Sequence, residues 1–151
     1  MQKKILMVCL GNICRSPLAE GILKSKVNSE EILVDSAGTS AYHAGELPDR
    51  RSIQVAKKYG IDLTDQRSRA FTKSDFEKFD IIYAMDISNK NNILKLANSS
   101  TDKEKVKLIL NEANPGMNLE VPDPYYGGDQ GFENVYQMLD EACQVIAETK
   151  L

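Results

Sequence analysis

Long hydrophobic runs are missing from this 151-residue sequence, and so is any strong excess of charge of one sign. The longest apolar stretches, such as Ile5 to Leu10, fall far short of the ~20 residues that span a bilayer, and no apolar signal segment follows Met1. The net charge is -3, with no cluster of Lys and Arg to bind a phosphate backbone. We therefore expect a cytoplasmic protein that binds neither membranes nor nucleic acid.

Cysteine and histidine are also scarce. The three cysteines, Cys9, Cys14 and Cys143, are an odd number, and in a reducing compartment they are expected to be thiols and not a disulfide framework. The single histidine, His43, lies in a polar stretch with no paired Ser or Cys motif, so nothing around it indicates a catalytic histidine. Because 42% of the residues are hydrophobic, residues 1–151 can bury the core of a single domain without a metal or a disulfide.

The apolar residues follow alternating strand and helix patterns along the chain. Lys4 to Leu10 (KILMVCL) is almost wholly apolar and rich in branched side chains, which is typical of a strand buried on both faces of a parallel sheet. Ser16 and Pro17 then predict a helix, with Ser16 as its N-cap and Pro17 as its first residue. The remaining strands are predicted at 32–34, 80–85 and 106–110, and the remaining helices at 48–59, 88–97 and 132–149.

This alternation predicts an α/β fold, a single doubly wound domain in which helices flank both faces of a four-stranded parallel sheet. Cys143 lies on the apolar stripe of the last helix, so it is expected in the core. Ligands of such folds bind beyond the carboxyl ends of the strands. We therefore expect a site assembled from the loops after the first, second and fourth strands, the last of which runs from Asn111 to Gly131.

The loop after the first strand carries the sharpest motif. It contains Cys9 and Arg15 separated by five residues, then the hydroxyl of Ser16, then the predicted helix. A short loop that enters a helix N-terminus can turn successive N–H groups inward and form a cradle for a tetrahedral oxyanion such as phosphate. Arg15 adds a planar fork that can hold two phosphate oxygens. The same groups favour a nucleophilic thiolate at Cys9, to which Ser16 is placed to donate.

Transfer of a phosphoryl group to Cys9 also needs a general acid, because a phenolate leaving group has to be protonated. Asp123 is the best candidate, since it lies on the loop after the fourth strand and prolines on both sides restrict its backbone. An ordinary Asp-Pro turn would place the same residue types there. On the residues alone, both interpretations of Asp123 stay open.

Taken together, the motifs resemble those of low molecular weight protein tyrosine phosphatases along essentially the whole chain. The resemblance is carried by the loop 9–16, by DSAGT at 35–39, by AMD at 84–86 and by DPYY at 123–126. It implies that Cys9 is the nucleophile, Arg15 the phosphate clamp and Asp123 the general acid, with no metal or cofactor. It also implies that the substrates are phosphotyrosine-containing proteins or peptides and small aryl phosphates, and that inorganic phosphate or vanadate competes with them.

The resemblance extends to residues that support the loop. Asn12 is expected to hold a left-handed turn through a hydrogen bond to Ser36, because Asn is among the few non-glycine residues that tolerate this conformation. Gln66 departs from the pattern, since many vertebrate members have a His there that supports the loop network. The residues expected to bind the substrate are Leu10, Ile13, Tyr42 and Tyr125 around its ring and Gly11, Asn12, Cys14 and Ser16 in the phosphate loop, with Ser36 and Tyr126 in support.

Four other functions share parts of this pattern. An arsenate reductase built on the same loop would need two further redox cysteines in a mobile segment, and Cys143, on a core stripe, is the only cysteine outside the loop. A phosphoarginine phosphatase of the same family is disfavoured by Ile13, where those members carry Thr. A non-catalytic phosphotyrosine-binding module would need Arg15 but not both Cys9 and Asp123. A flavodoxin-like electron carrier would have no Cys-x5-Arg loop, so the sequence favours a protein tyrosine phosphatase.

Overall fold

The computed structural model describes residues 2–124 and 127–150. At its centre is a four-stranded parallel sheet in the order β2-β1-β3-β4, which confirms the predicted α/β class. The strands are β1 (Lys3–Cys9), β2 (Ile32–Gly38), β3 (Ile81–Ala84) and β4 (Val106–Leu108). Since β1 lies between β2 and β3, the loop that follows Cys9 leaves from the middle of the sheet.

Helices cover both faces of this sheet. They are α1 (Arg15–Lys26), α2 (Arg50–Lys58), α3 (Asp75–Lys78), α4 (Ile87–Leu94), α5 (Ser100–Glu104) and α6 (Gly128–Thr149), with a 3-10 turn at Ile109–Asn111. The four or five residues of α3 and α5 are too few to show a helical repeat of apolar positions, which explains why the sequence did not indicate them. Within the described residues, no helix is long and apolar enough to cross a membrane.

The two faces of β1 belong to two separate clusters of buried side chains. Ile5 and Met7 pack with the helices α1 and α6, and Leu6 and Val8 pack on the opposite face. This alternation is the two-residue period of a strand buried on both sides. Cys143 lies in the first cluster with no exposed surface, and its thiol donates to the carbonyl of Ala19 over 3.7 Å, as expected for a core cysteine.

The first helix corrects the sequence-based boundary. It begins at Arg15 with Cys14 as its N-cap, and not at Pro17 with Ser16 as the cap. The hydroxyl of Ser16 is used elsewhere, because it contacts the sulfur of Cys9 and accepts a hydrogen bond from Asn12. Pro17 fits the first turn in any case, since the N–H groups of that turn have no partner inside a helix.

Candidate active site

Cys9 is the last residue of β1, and it lines a cavity of about 470 Å³. The cavity opens at the carboxyl ends of the strands, as predicted for this fold. Eight of its lining residues were expected in the site: Cys9, Leu10, Gly11, Ile13, Cys14, Arg15, Tyr42 and Asp123. Tyr125 and Tyr126 lie outside the described residues. The structure thus brings the nucleophile, clamp and acid candidates to one cavity.

The loop between β1 and α1 presents its backbone as a donor surface. No N–H group of residues 11–14 donates to an acceptor within the described part of the chain. The loop curls because Asn12 adopts a left-handed conformation, with φ at 56°. Its carbonyl groups face away, where Leu10 accepts from the N–H of Ser40, Gly11 from the hydroxyl of Ser68, and Ile13 from the N–H of Asp49. Free N–H groups in a curled loop at a helix N-terminus form an anion cradle.

Asn12 and Ser16 support the loop from below and are not among the residues that line the cavity. The amide of Asn12 donates to the hydroxyl of Ser16 at 2.8 Å and to that of Ser36 at 3.0 Å. Its Oδ1 accepts from the backbone N–H of Arg69 at 3.1 Å. The predicted contact between Asn12 and Ser36 is therefore present, and the side chains of Asn12 and Ser16 support the loop, while the N–H group of Asn12 belongs to the cradle.

Arg15 is buried, and two groups hold one end of its guanidinium. Nη1 donates to Oδ2 of Asp86 at 2.7 Å and to the carbonyl of Val121 at 3.0 Å. Nε and Nη2 have no acceptor among the described residues, and Arg15 lines the cavity. Two parallel N–H groups therefore remain for an oxyanion, which is the fork that Lys cannot supply.

The segment that carries Asp123 is attached to the same cluster. The N–H of Val121 donates to the carbonyl of Met85 at 2.8 Å, and its carbonyl accepts from Arg15. Asp123 follows two residues later, is exposed to solvent, and lines the cavity with Cys9. A carboxyl group at the open edge of an anion cradle is in the position of a proton donor to a departing oxygen.

The mouth of the cavity is apolar on the side of Leu10, Ile13 and Tyr42. Leu10 is 53% exposed and Tyr42 is 85% exposed, so both side chains are available to an incoming group. His43 and Ser40 also line the cavity, although the sequence did not mark them as substrate-binding residues. The ring of His43 contacts that of Tyr42 edge-on, with 5.0 Å between centroids, and its Nδ1 lies 2.9 Å from Oε2 of Glu46.

The two loop cysteines differ in environment. Burial raises the pKa of Cys14 to about 12, and the negative charge of Asp49 contributes in the same direction. Cys14 is therefore a protonated thiol at neutral pH. Cys9, by contrast, has the hydroxyl of Ser16 3.0 Å from its sulfur and directly precedes the loop whose N–H groups have no acceptor among the described residues. Of the two, Cys9 is the one that the surroundings equip for nucleophilic attack.

Comparison with known proteins agrees with this geometry. The family model described as low molecular weight phosphotyrosine protein phosphatase matches residues 4–150. The chain is 43% identical to the low molecular weight phosphotyrosine protein phosphatase of Schizosaccharomyces pombe, over 93% of this chain and 92% of that protein.

Solved structures show the same relationship. The crystal structure of a protein tyrosine phosphatase from Entamoeba histolytica matches with a TM-score of 0.90 and 39% identity, over 99% of this chain and all of that one. The structure of a Drosophila arginine phosphatase matches with a TM-score of 0.88 and 33% identity, over 97% of both chains. The chain therefore belongs to the low molecular weight phosphotyrosine protein phosphatase family.

Proposed function

We propose that this protein, as one domain spanning residues 1–151, hydrolyses phosphotyrosine and small aryl phosphates through a phosphocysteine intermediate. The observation that carries the proposal is that Cys9, Arg15 and Asp123 line one cavity beside a loop whose N–H groups have no acceptor among the described residues. Family membership supports the same reaction. No metal or cofactor is needed, since the loop and Arg15 supply the positive charge and the donors that a transferring phosphoryl group requires.

The first step forms a bond between the sulfur of Cys9 and phosphorus. The bond between phosphorus and the aryl oxygen breaks, and Asp123 gives its proton to the departing phenolate. The N–H groups of the loop and the fork of Arg15 hold the three remaining phosphoryl oxygens, whose charge they stabilise in the transition state. No electrons pass to or from a redox partner, so the step is a displacement of the aryl oxygen at phosphorus.

The second step returns the enzyme to its starting state. The carboxylate of Asp123 takes a proton from water, the water oxygen bonds to phosphorus, and the bond between sulfur and phosphorus breaks. Cys9 leaves as a thiolate, which the hydroxyl of Ser16 stabilises from 3.0 Å. Inorganic phosphate is released, so phosphate and the analogous vanadate are expected to bind the empty loop and to compete with substrate.

A phosphoarginine phosphatase is the second candidate, because the chain also resembles the Drosophila arginine phosphatase. Ile13 lines the cavity and offers no hydrogen-bond partner to a guanidinium, which favours phosphotyrosine. Arsenate reduction is less well supported, since Cys143 is fully buried in the core and is not among the residues that line the cavity.

The test is turnover of matched peptides that carry phosphotyrosine, phosphoserine or phosphoarginine, by the wild-type protein and by Cys9→Ser. We expect phosphotyrosine to be preferred, and we expect Cys9→Ser to abolish turnover while it still binds vanadate. Cys143→Ala is the matched control, because it removes another buried thiol away from the cavity and should retain turnover. More than a few per cent of wild-type turnover in Cys9→Ser would rule out the nucleophile.

We also propose a cytoplasmic location, because a mechanism that depends on a free thiolate is best served by a reducing compartment. All three cysteines are unpaired in the structure. Fractionation of the native cells is the test, and recovery of the protein outside the cytoplasm would contradict this location.

A further inference from the structure

A chain of buried polar side chains leads from the nucleophile to a carboxylate that the reaction does not use. The hydroxyl of Ser16 lies 3.0 Å from the sulfur of Cys9, and the amide of Asn12 donates to Ser16 and to Ser36. The hydroxyl of Ser36 then donates to Oε1 of Glu20 over 2.6 Å. All five residues are buried, and Glu20 is only 4% exposed.

The direction of each hydrogen bond in this chain follows from the donors available. Oδ1 of Asn12 accepts from the N–H of Arg69, which fixes the amide so that its two N–H groups point to Ser16 and Ser36. Both hydroxyl oxygens are therefore acceptors in these bonds. Ser36 must place its own hydrogen elsewhere, and the carboxylate of Glu20 can only accept.

The same reasoning orients the hydroxyl at the other end. With its oxygen occupied by the amide of Asn12, Ser16 has its hydrogen free to donate. The sulfur of Cys9 at 3.0 Å is the nearer acceptor, compared with the carbonyl of Ala37 at 3.4 Å. A hydroxyl that donates to sulfur stabilises the thiolate over the thiol.

We propose that Glu20 is a positioning residue for the phosphatase reaction: its carboxylate takes the hydrogen of Ser36, which keeps Ser36 as an acceptor for Asn12, so that Asn12 stays in place and the hydroxyl of Ser16 keeps its hydrogen for Cys9. The inference rests on the proposed role of Cys9 as nucleophile. A group that could donate to Ser36 in place of the carboxylate would turn its hydroxyl toward Asn12. The amide of Asn12 would then lose an acceptor, and with it one of the three side-chain hydrogen bonds that hold this residue in its left-handed conformation.

Two donors contact the buried carboxylate of Glu20 and oppose the effect of burial, although its pKa is still raised above the ordinary value. Burial raises the pKa of Glu20, and Asp35 on β2 acts in the same direction, whereas Lys24 and Ser36 lower it through hydrogen bonds. Lys24 forms an ion pair with Oε2 from the next turn of α1. The carboxylate thus has a donor on each oxygen, which is how a buried carboxylate is kept charged.

Gln66 does not take over this role. Its Nε2 donates to the carbonyl of Pro17 at 3.1 Å, and its buried Oε1 has no partner among the described residues. It therefore packs beside α1 without a hydrogen bond to Asn12 or Ser36. Among the described residues, the hydrogen bonds that run from Asn12 through Ser36 lead to Glu20 and not to Gln66.

The test compares Glu20→Leu and Glu20→Gln with the wild-type protein in two assays. One is kcat and KM for an aryl phosphate, and the other is the rate at which iodoacetate alkylates Cys9 at neutral pH. Glu20→Leu removes the acceptor, so we expect kcat to fall at least tenfold with KM nearly unchanged, and alkylation to slow at least fivefold. Glu20→Gln offers one oxygen to the two donors Lys24 and Ser36, and its amide N–H group is a donor that would turn the hydroxyl of Ser36, so it should also slow alkylation at least fivefold.

Two further variants separate this role from a general loss of stability. Lys24→Gln removes the ion pair but leaves the bond from Ser36, so its alkylation rate should stay within twofold of wild type. Ser36→Ala breaks the chain at its middle, and the double variant Glu20→Gln with Ser36→Ala should be no slower than Ser36→Ala alone, because the two act in series. Thermal unfolding confirms that each variant is folded at the assay temperature.

The possible outcomes test the role of Glu20 separately from the proposed phosphatase function. Wild-type rates in folded Glu20→Leu, or additive losses in the double variant, would overturn the role of Glu20 and leave the phosphatase reaction intact. If Glu20→Leu does not fold, the double variant decides the question. A wild-type protein that neither turns over aryl phosphates nor reacts at Cys9 would instead refute the proposed function itself.

Discussion

Arg15 and Asp86 form a nearly buried ion pair, with 2.7 Å between Nη1 and Oδ2 and side chains that are 6% and 20% exposed. Asp86 is itself fixed, because it is the N-cap of α4 and its Oδ1 accepts from the N–H of Asn89 at 2.7 Å. One carboxylate thus starts a helix with one oxygen and orients the phosphate clamp with the other. Arg15 keeps Nε and Nη2 for the substrate.

This pairing predicts the effect of Asp86→Asn. Asn is also a good N-cap, so α4 should persist. Its amide N–H group would then face the guanidinium of Arg15, which has only donors and cannot accept a hydrogen bond. We expect kcat/KM for an aryl phosphate to fall by about 10- to 100-fold, or ~1.4–2.7 kcal/mol, with Tm little changed. Ser99→Ala removes the N-cap of α5 and should lower stability without this loss of activity. Full activity in Asp86→Asn would show that Arg15 needs no partner.

Asp123→Asn tests proton donation separately from binding. An amide cannot protonate a phenolate, so phenyl phosphate, whose leaving group is strongly basic, should be slowed much more than an aryl phosphate whose phenol is strongly acidic. The measurement is kcat for both substrates in the variant and the wild type. Equal slowing of the two substrates would assign Asp123 to positioning and not to acid catalysis.

The sequence predicted the parallel sheet and the composition of the anion loop well, because buried strands and short-range motifs are local features. Asp86 belongs to the motif at 84–86, but the sequence predicts no role for it. Its partner Arg15 lies 71 positions earlier, and only the folded sheet brings the two together. Ser16 was misplaced as a cap for the same reason: its hydroxyl is claimed by Asn12 and Cys9. His43 lines the cavity from a loop, and a periodic pattern of apolar residues does not indicate which loop residues reach a cavity.

The three thiols are expected to differ in reactivity. Because burial raises the pKa of Cys14 to about 12 and also raises that of Cys143, both remain protonated at pH 8. Iodoacetamide at that pH should modify Cys9 alone, as read by mass spectrometry of peptides. Unfolded protein provides the control, since all three should then react. Labelling of Cys14 at a rate similar to Cys9 in the native protein would contradict the difference in environment.

Glu133 is expected to link α2 to α6 in a pH-dependent way. Hydrogen bonds from Gln137, Lys58 and Tyr59 lower its pKa from 4.5 to about 2. Because this pKa is lowered, the contribution of Glu133 to the free energy of unfolding is complete above its ordinary pKa of 4.5, and it is lost as pH falls from about 4.5 to about 2. Glu133→Gln should therefore lower Tm at pH 7 and have little effect at pH 2. At pH 7 the loss in free energy of unfolding should be that of a surface ion pair, about 0–1 kcal/mol.

Glu148→Gln is the matched control for this effect, because Glu148 lies on the same helix and bonds only to Gln144 among the described residues. Its Tm difference from wild type should not vary between the two pH values. A Tm difference for Glu133→Gln that is equally large at pH 2 and pH 7 would show that packing, and not the charge, links the helices.

Ile13 is expected to decide the choice between phosphotyrosine and phosphoarginine. Ile13, Leu10 and Tyr42 line the apolar side of the cavity, which suits an aromatic ring. A guanidino group of similar reach would lose its water there and find no acceptor on a branched aliphatic side chain. Ile13→Thr shortens that side chain and adds a hydroxyl that can accept from the guanidino N–H groups. We therefore expect the ratio of kcat/KM values to shift toward phosphoarginine by at least about tenfold, or ~1.4 kcal/mol.

The control for Ile13→Thr is Ile13→Val, which also shortens the side chain but adds no hydroxyl. If shape alone decides, Ile13→Val and Ile13→Thr should shift the ratio equally, and if hydrogen bonding decides, only Ile13→Thr should. Matched peptides that differ only in the phosphorylated residue give the two kcat/KM values. An unchanged ratio in both variants would mean that selectivity is set outside the loop, and the exposed side chain of Tyr42, 85% accessible at the mouth, would then be the residue to replace.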